Sequence, residues 1–227
     1  KLALHRDNAL LCHSVAIRQA TWAVEAIDWV ERQSVGRAAC WRIASVHHEA
    51  ADAFCEAIVA QTPQSTIQRV SRHDIPMNMD VELPDRVGID RLLGAFAARS
   101  RVPLPAVVID AGSAVTVDWV CSEGLFRGGA ILPGLALQTA ALARGTEALA
   151  DIDWEHSDEI RLPGRNTGEA IRGGILIGLS ASIDALIDRY RDAFEYAGET
   201  RVVLTGGDAP RLAAHLQHAH QRIPNLV

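Results

Sequence analysis

Apolar and polar positions along the first part of the chain alternate with two different periods. A period of about two residues predicts strands, and a period of about 3.6 residues predicts helices. Period-two and β-branched runs predict strands at residues 1–5, 9–15, 38–46 and 66–70. Apolar residues at helical spacing predict helices over residues 21–33 and 47–61. Two strands joined by a polar turn, followed by alternating helices and strands, are typical of α/β proteins.

The rest of the chain repeats this order. A polar, proline-punctuated stretch at residues 71–86 predicts a long loop, and residues 101–105 form a proline-stiffened junction. Strands are predicted at residues 107–109, 116–121, 125–132 and 201–204. Helices are predicted at residues 88–98, 135–148, 166–197 and 209–220. We therefore expect an α/β protein of two domains, residues 1–104 and 105–227, related by architecture and not by sequence repeat.

Composition narrows the function classes. The chain has 227 residues, 48% of them hydrophobic, and a formal charge of -6, which argues against a nucleic-acid or anionic-membrane surface. Neither a signal peptide nor a membrane-spanning apolar run is predicted. Cys12, Cys40, Cys55 and Cys121 form no CxxC pair, which is typical of thiols in a reducing compartment. A cytoplasmic location is the expectation.

The sequence Val107 to Asp118 delivers an acid from an apolar strand into a glycine turn. Asp110 ends the strand, where a carboxylate can hold a cation or orient a phosphate, and Gly112 is expected to allow a backbone conformation closed to other residues. Ser113 and Thr116 add hydroxyl groups, and turn amides beside a glycine can hold an anion. An ordinary hairpin with a polar turn explains the same pattern.

A second acid opens a predicted helix. Gly88 lets the chain turn in, and Asp90 and Arg91 then lie in the first helical turn. A carboxylate there can act as a general base, but it can equally cap the helix amides.

Other candidates have ordinary explanations too. Gly173, Gly174 and Gly178 lie in a predicted helix, where we expect close packing or close approach of a ligand. The histidines near residues 47 and 218 lack a third ligand at metal-binding spacing, so solvated helix faces are the preferred interpretation.

Five motifs in order make the chain resemble the type III pantothenate kinases, within the superfamily of acetate and sugar kinases, Hsp70 and actin. They are Val87-Gly88-Ile89-Asp90-Arg91, the run from Asp110 to Asp118, the run from Gly128 to Gly134, Asn166-Thr167, and Thr205-Gly206-Gly207-Asp208. The resemblance covers nearly the whole chain. It implies two ribonuclease H-like (actin-like ATPase) domains with a cleft between them, and the ATP-dependent phosphorylation of pantothenate that begins coenzyme A synthesis.

The resemblance also implies roles for individual residues. Asp90 matches the catalytic base, and the pantothenate-binding positions are Gly88, Ile89, Asp90, Arg91 and Thr167. The ATP-binding positions are Lys1, Gly112, Ser113, Thr116, Gly206 and Gly207. Asp110 matches a ligand of a monovalent cation, K⁺ or NH₄⁺, and Mg²⁺ would arrive with ATP. The family implies a homodimer; an apolar strip near residue 140 serves equally as dimer contact or core.

The chain departs from the family pattern in several places. The family begins with an Asp-x-Gly-Asn-Thr-x-x-Lys phosphate loop, of which Lys1 matches only the last residue, so we expect the first strand to be missing. Val81 stands where many members have a substrate-side tyrosine, and a final helix of the family has no counterpart. These departures keep two alternatives open: a weakly catalytic or non-catalytic accessory protein linked to transcription, and a kinase for another small hydroxylated metabolite.

Overall fold

A computed structural model describes residues 2–6, 9–15, 19–34, 38–147, 149, 152–154, 160–196 and 198–226. The chain divides into two compact units. The first comprises Lys1–Asp74 with Gly88–Asp90, and the second comprises Ile75–Val87 with Arg91–Val227. Both units combine strands and helices, so the predicted α/β class is confirmed.

The first unit contains two helices and two small sheets. Its strands are β1 (Leu2–Arg6), β2 (Ala9–His13), β3 (Cys40–Ile43) and β4 (Thr66–Arg69), and its helices are α1 (Trp22–Ser34) and α2 (His48–Gln61). The predicted hairpin of β1 and β2 is confirmed as an antiparallel pair, and β3 pairs with β4 in parallel. The core of this unit consists of apolar side chains from both helices and β3: Ala26, Ile27, Val30, Trp41, Phe54 and Ile58.

A cleft separates the two small sheets. Among the described residues, β1 pairs only with β2 and β3 pairs only with β4, so each leaves one strand edge without a partner. A cavity of about 270 Å³ is lined by Leu2, Ala3 and Leu4 of β1 and by Trp41, Arg42 and Ile43 of β3. Unpaired strand edges present rows of backbone donors and acceptors that favour pairing with a further strand.

The second unit is built on one sheet of five strands. Its members are β5 (Ala106–Ala111), β6 (Ala114–Val120), β7 (Phe126–Pro133), β8 (Arg201–Thr205) and β9 (Gln221–Arg222). Their order is β7-β6-β5-β8-β9. The β5–β6 and β6–β7 pairs are antiparallel, whereas β8 is parallel to both β5 and β9. β5 is therefore central, and Val107 and Ile109 on it are completely buried.

Three helices complete the second unit: α4 (Leu135–Gly145), α5 (Thr167–Ala193) and α6 (Ala209–Ala213). Helix α3 (Ile89–Arg99) begins in the first unit and continues in the second. The Asn166 side chain caps α5 by accepting a hydrogen bond from the backbone amide of Glu169 at 2.9 Å. One face of α5 joins the core through Ile171, Ile175, Leu179, Ile183 and Ile187.

Helix α5 is also long and apolar enough to cross a membrane, although no spanning run was predicted. Half of its most apolar window is buried inside the protein, which is the behaviour of a core helix. The glycines on this helix differ from one another. A Cβ on Gly173 would lie 2.7 Å from Leu162, which confirms close packing there, whereas Gly174 and Gly178 face open space.

The end of the chain corrects a sequence-based prediction. Helix α6 ends at Ala213 and not near residue 220, because the Asp184 carboxylate accepts hydrogen bonds from the backbone amides of Gln217 and His218. The chain then returns to add β9 beside β8. The two compact units also divide elsewhere than at residue 104, and the assignment of two domains at that point stays a prediction.

Candidate active site

Strand pairing brings three polar residues into one row across the second unit's sheet: two predicted site residues and one that was not predicted. Asp110 of β5 pairs in register with Thr116 of β6 on one side and with Thr205 of β8 on the other. Cross-strand partners project from the same face of a sheet. The Asp110 carboxylate is half-buried and is thus flanked by two threonines, at the carboxyl ends of two parallel strands, where α/β sheets commonly bind ligands.

The turn after Asp110 is tight, but not for the predicted reason. Gly112 does not have a positive φ, and an added Cβ would meet only the Ala114 carbonyl at 3.6 Å, so the expectation about Gly112 is wrong. The sterically demanding residue is Gly134, which follows β7. Its amide donates to the Ser113 carbonyl at 3.0 Å, and an added Cβ would lie 2.7 Å from that oxygen. Gly134 thereby holds the turn that contains Ser113.

The Gly206–Gly207 loop is fastened to the end of β5. Gly206 has a φ of +99°, and an added Cβ would lie 2.5 Å from the carbonyl carbon of Ala111. The Ala111 carbonyl also accepts a hydrogen bond from the amide of Asp208 at 2.9 Å. Gly207, in contrast, is exposed, and a Cβ added to it would meet no atom within 4 Å. Bare backbone therefore faces open space beside the row of Asp110, where a flat ligand can approach closely.

Two further residues border this loop. Burial raises the pKa of Asp208 above its ordinary value, against the opposing effect of the Arg211 guanidinium 3.1 Å away. Thr205 is buried, and its hydroxyl oxygen accepts a hydrogen bond from the amide of Leu226 at 3.4 Å. Thr205 was not a predicted site residue. Its sequence signal was its place at the end of an apolar strand, directly before two glycines.

In the first unit, the predicted base is held against a glycine. Helix α3 begins at Ile89, and Asp90 is exposed in its first turn. Oδ1 of Asp90 lies 2.5 Å from the position that a Cβ on Gly88 would take, and Val46 lies 3.7 Å from it. The carboxylate therefore folds back over Gly88, into space that exists only because residue 88 has no side chain.

Arg91 makes an ion pair that the sequence did not predict. Its Nε donates to Oδ1 of Asp118 at 3.0 Å and to Oδ2 at 3.3 Å, and its Nη2 also donates to Oδ1. The guanidinium carbon lies 5.5 Å from the centre of the Phe126 ring. Asp118 is only 1% exposed, within the strand predicted at residues 116–121. An acid at a buried strand position was the available signal, because such a group requires a partner.

Tyr190 of α5 belongs to the same neighbourhood. Its hydroxyl donates to the carbonyl of Val117 at 3.1 Å. Burial, reinforced by the nearby charge of Asp118, raises the pKa of Tyr190 to about 12. The phenol thus stays neutral across the physiological range and acts here as a hydrogen-bond donor.

The remaining predicted residues are distributed as follows. Thr167 is exposed at the first position of α5, directly after the capping Asn166. Val81 lies over β7, with its Cγ1 3.5 Å from the Cβ position of Gly128. Lys1 lies outside the described residues. Gly88, Ile89 and Asp90 belong to the first unit, and the other described site residues belong to the second.

Metal binding by protein side chains alone has little support. Across the described part of the chain, no three His, Cys, Asp or Glu side chains cluster closely enough to hold an ion. Asp110 with its flanking hydroxyls offers oxygen ligands of the kind that hard cations prefer, provided that ligand or solvent oxygens complete the shell.

Known proteins resemble this chain over most of its length. The family model for type III pantothenate kinase matches residues 1–189. A type III pantothenate kinase of Rhodopirellula baltica is 40% identical over 211 residues, covering 86% of this chain and 75% of that protein. The Rubrobacter xylanophilus enzyme is 37% identical over 183 residues, covering 79% of this chain and 66% of that protein. The chain thus spans about two thirds to three quarters of these relatives.

A solved structure shares the fold. A Campylobacter jejuni protein of the Baf family superposes with a TM-score of 0.57 at 20% identity, covering 87% of this chain and 82% of that one. That likeness concerns the fold alone. The family model and the sequence relatives show that the chain belongs to the type III pantothenate kinase family, a family of kinases, as the sequence predicted.

Proposed function

We propose that this protein transfers the γ-phosphoryl group of ATP to pantothenate, giving ADP and 4'-phosphopantothenate, the first step toward coenzyme A. The observation that carries the proposal is the row formed by Thr116, Asp110 and Thr205, with the exposed Gly207 backbone beside it. Carboxylate, hydroxyl and bare backbone together suit a triphosphate. Membership of the family supplies the reaction class.

Asp90 is the proposed general base. The primary hydroxyl of pantothenate attacks the γ-phosphorus, the bond from that phosphorus to the β–γ bridging oxygen breaks, and the hydroxyl proton passes to the carboxylate. An exposed carboxylate in the first turn of α3 is accessible for this task. Its position over Gly88 restricts where it points, which is what a base in a fixed geometry requires. Gly88 and Ile89 complete the proposed pocket wall.

The nucleotide is proposed to bind at Gly206 and Gly207, with Ser113, Gly112 and Thr116 near its phosphates. A monovalent cation, K⁺ or NH₄⁺, at Asp110 would neutralise charge on the phosphates. Mg²⁺ would be held mostly by phosphate oxygens and water, since the described part of the chain lacks a side-chain cluster for it. Thr167 is proposed to hydrogen-bond pantothenate.

Lys1 matches the last residue of the family's phosphate loop, and it is proposed to contact the phosphates of ATP.

The finer architecture belongs to the same proposal. Tandem ribonuclease H-like domains, residues 1–104 and 105–227, would enclose the nucleotide, and the protein would work as a cytoplasmic homodimer. The shared fold with the Campylobacter jejuni protein supports the chain topology alone. Sedimentation of the purified protein would test the dimer, since a monomer at micromolar concentration would exclude it.

The deciding experiment measures ADP release with pantothenate, with and without K⁺. Asp90→Asn should abolish turnover, by at least about a hundredfold, while leaving ATP affinity nearly intact. Asp85→Asn, which removes another exposed carboxylate just ahead of the motif, is the matched control and should keep activity. Unchanged turnover in Asp90→Asn would remove that residue from the base role.

Two alternatives give different results in that assay. An accessory protein linked to transcription would bind nucleotide without pantothenate-dependent ADP release; the Val81 departure and the Baf-family fold likeness keep this hypothesis in view. A kinase for another hydroxylated metabolite would release ADP only with that other substrate. Pantothenate-dependent, K⁺-stimulated ADP release would exclude both.

A further inference from the structure

The buried acid on β6, Asp118, forms an ion pair with Arg91. Asp118 is 1% exposed, in a sheet position where its neighbours Val117 and Trp119 are apolar core residues. Burial of a carboxylate is strongly unfavourable unless charge and hydrogen bonds compensate it. The compensation includes the guanidinium of Arg91, which donates from Nε and Nη2 to the carboxylate of Asp118. The buried charge of Asp118 therefore depends on its hydrogen bonds with Arg91.

The geometry of this pair fixes the plane of the guanidinium. Arg91 meets Asp118 with the side edge formed by Nε and Nη2, so its end edge, formed by Nη1 and Nη2, is directed away from that carboxylate. The ring of Phe126, 5.5 Å from the guanidinium carbon, restrains the group from one face. A long, flexible side chain is thereby held in one orientation before any ligand arrives.

The neighbouring tyrosine does not compete for this pair. The hydroxyl of Tyr190 donates to the carbonyl of Val117 and is committed to the backbone. Arg91 directly follows the proposed base Asp90 on the first turn of α3, where successive side chains point in directions about 100° apart. The proposed base and Arg91 are therefore neighbours along the chain whose side chains leave the helix in different directions.

We propose that Asp118 is a positioning residue: it holds the side edge of Arg91 so that the end edge receives the carboxylate of pantothenate. The inference rests on the proposed function, because it takes pantothenate as the substrate. Its consequence is a specific one. Loss of Asp118 weakens recognition of the substrate's negative charge and leaves the chemistry at the hydroxyl end largely unchanged.

The test compares pantothenate with its neutral amide, in which the carboxylate is replaced by a carboxamide. For the wild-type protein we expect a lower KM for pantothenate than for the amide. Asp118→Asn keeps the shape of the side chain and removes its charge. It should raise KM for pantothenate about tenfold or more, leave KM for the amide within about twofold, and change kcat little.

The matched control is Asp184→Asn, which removes the charge of another buried acid of the same unit. Asp184 is 8% exposed and accepts hydrogen bonds from backbone amides, remote in its contacts from Arg91. Asp184→Asn should change KM for pantothenate and KM for the amide by the same factor, if it changes them at all. Arg91→Lys should resemble Asp118→Asn, because lysine keeps the charge and loses the planar fork.

The kinetics of Asp118→Asn distinguish a positioning role from a structural one. If the variant changes both KM values by the same factor, or lowers kcat alone, Asp118 has a structural role and the inference is wrong. If Asp118→Asn does not fold, Asp118→Glu keeps the charge and moves it by one methylene group; it should lower the preference for pantothenate over the amide. A preference equal to that of the wild type in this variant overturns the inference. A wild-type protein inactive on pantothenate overturns the proposed function itself.

Discussion

Asp110 on β5 and Thr205 on β8 are paired in register at the carboxyl ends of two parallel strands. This single relationship places the acid turn and the Gly206–Gly207 loop next to each other, although about 95 residues of chain separate them. Because both strands are buried in the centre of the sheet, the two loops can shift little relative to each other. The candidate site residues of the second unit therefore occupy a rigid frame, as positioning in phosphoryl transfer requires.

The two neighbouring glycines of the second loop should respond differently to the same substitution. Gly206→Ala places a methyl group against the Ala111 backbone at a φ of +99°, so we expect a loss of roughly 1–3 kcal/mol of unfolding free energy. KM for ATP should rise about tenfold as the loop moves. In Gly207→Ala the added methyl group lies in open space, so the unfolding free energy should stay within about 0.5 kcal/mol of the wild-type value.

Chemical denaturation and ATP titration measure both quantities for the two variants. Equal behaviour of Gly206→Ala and Gly207→Ala would contradict the described backbone geometry. A rise in KM for ATP in Gly207→Ala alone would indicate that the nucleotide, and not the protein backbone, occupies the open space there.

Gly88→Ala should act on the proposed base without touching its chemistry. The added methyl group competes for space with Oδ1 of Asp90, at 2.5 Å, so the carboxylate must turn away. We expect kcat to fall by about a hundredfold, comparable with removal of a general base. Thermal unfolding should change little, because the displaced atom is the end of an exposed side chain.

Steady-state kinetics with saturating ATP and pantothenate test this expectation. Gly145→Ala is the control, since its Cβ position has no atom within 4 Å. Wild-type kcat in Gly88→Ala would show that the orientation of Asp90 over Gly88 is irrelevant to turnover.

Asp110→Asn should abolish activation by monovalent cations. A neutral amide between Thr116 and Thr205 attracts a cation far more weakly than a carboxylate does. Titration of KCl at constant ionic strength should stimulate the wild type and leave the variant unaffected. Asp184→Asn should retain the stimulation. A variant still stimulated by K⁺ would place the cation elsewhere.

The raised pKa of Tyr190 predicts that the folded protein loses stability at high pH. The pKa of Tyr190 is raised from 10.0 to about 12 in the folded protein. Between these values the unfolded chain releases the phenol proton and the folded protein keeps it. The contribution of Tyr190 to the unfolding free energy is therefore constant below about pH 10 and falls as pH rises toward 12. Tyr190→Phe should lack this part of the decline.

Urea unfolding from pH 8 to pH 12 measures this difference. Tyr190→Phe should also be less stable at pH 8 by about 1 kcal/mol, because the hydrogen bond to the Val117 carbonyl is lost. Tyr196→Phe, the other tyrosine substitution, is the control for alkaline effects unrelated to Tyr190. Parallel pH curves for the wild type and Tyr190→Phe would contradict the raised pKa.

Local signals carried much of the sequence-based prediction. The hairpin of β1 and β2, the long helix that opens at Asn166-Thr167 and the glycine loop after β8 all depend on residues close together in sequence, and the structure contains each of them. Helix α6 was predicted too long because its pattern continues to residue 220, whereas a distant acid, Asp184, draws the backbone out of the helix. Periodicity cannot register such a contact.

The sequence by itself determined the α/β class, the order of the elements and the family, because these follow from local periodicity and from motifs in a fixed order. Only the tertiary structure decided that Arg91 is paired with Asp118, 27 positions away, and that Gly134 and not Gly112 holds the acid turn. It also decided that Thr205 stands beside Asp110. The physical reason is the same in all three cases: strand register and side-chain packing join residues whose spacing along the chain carries no record of their contact.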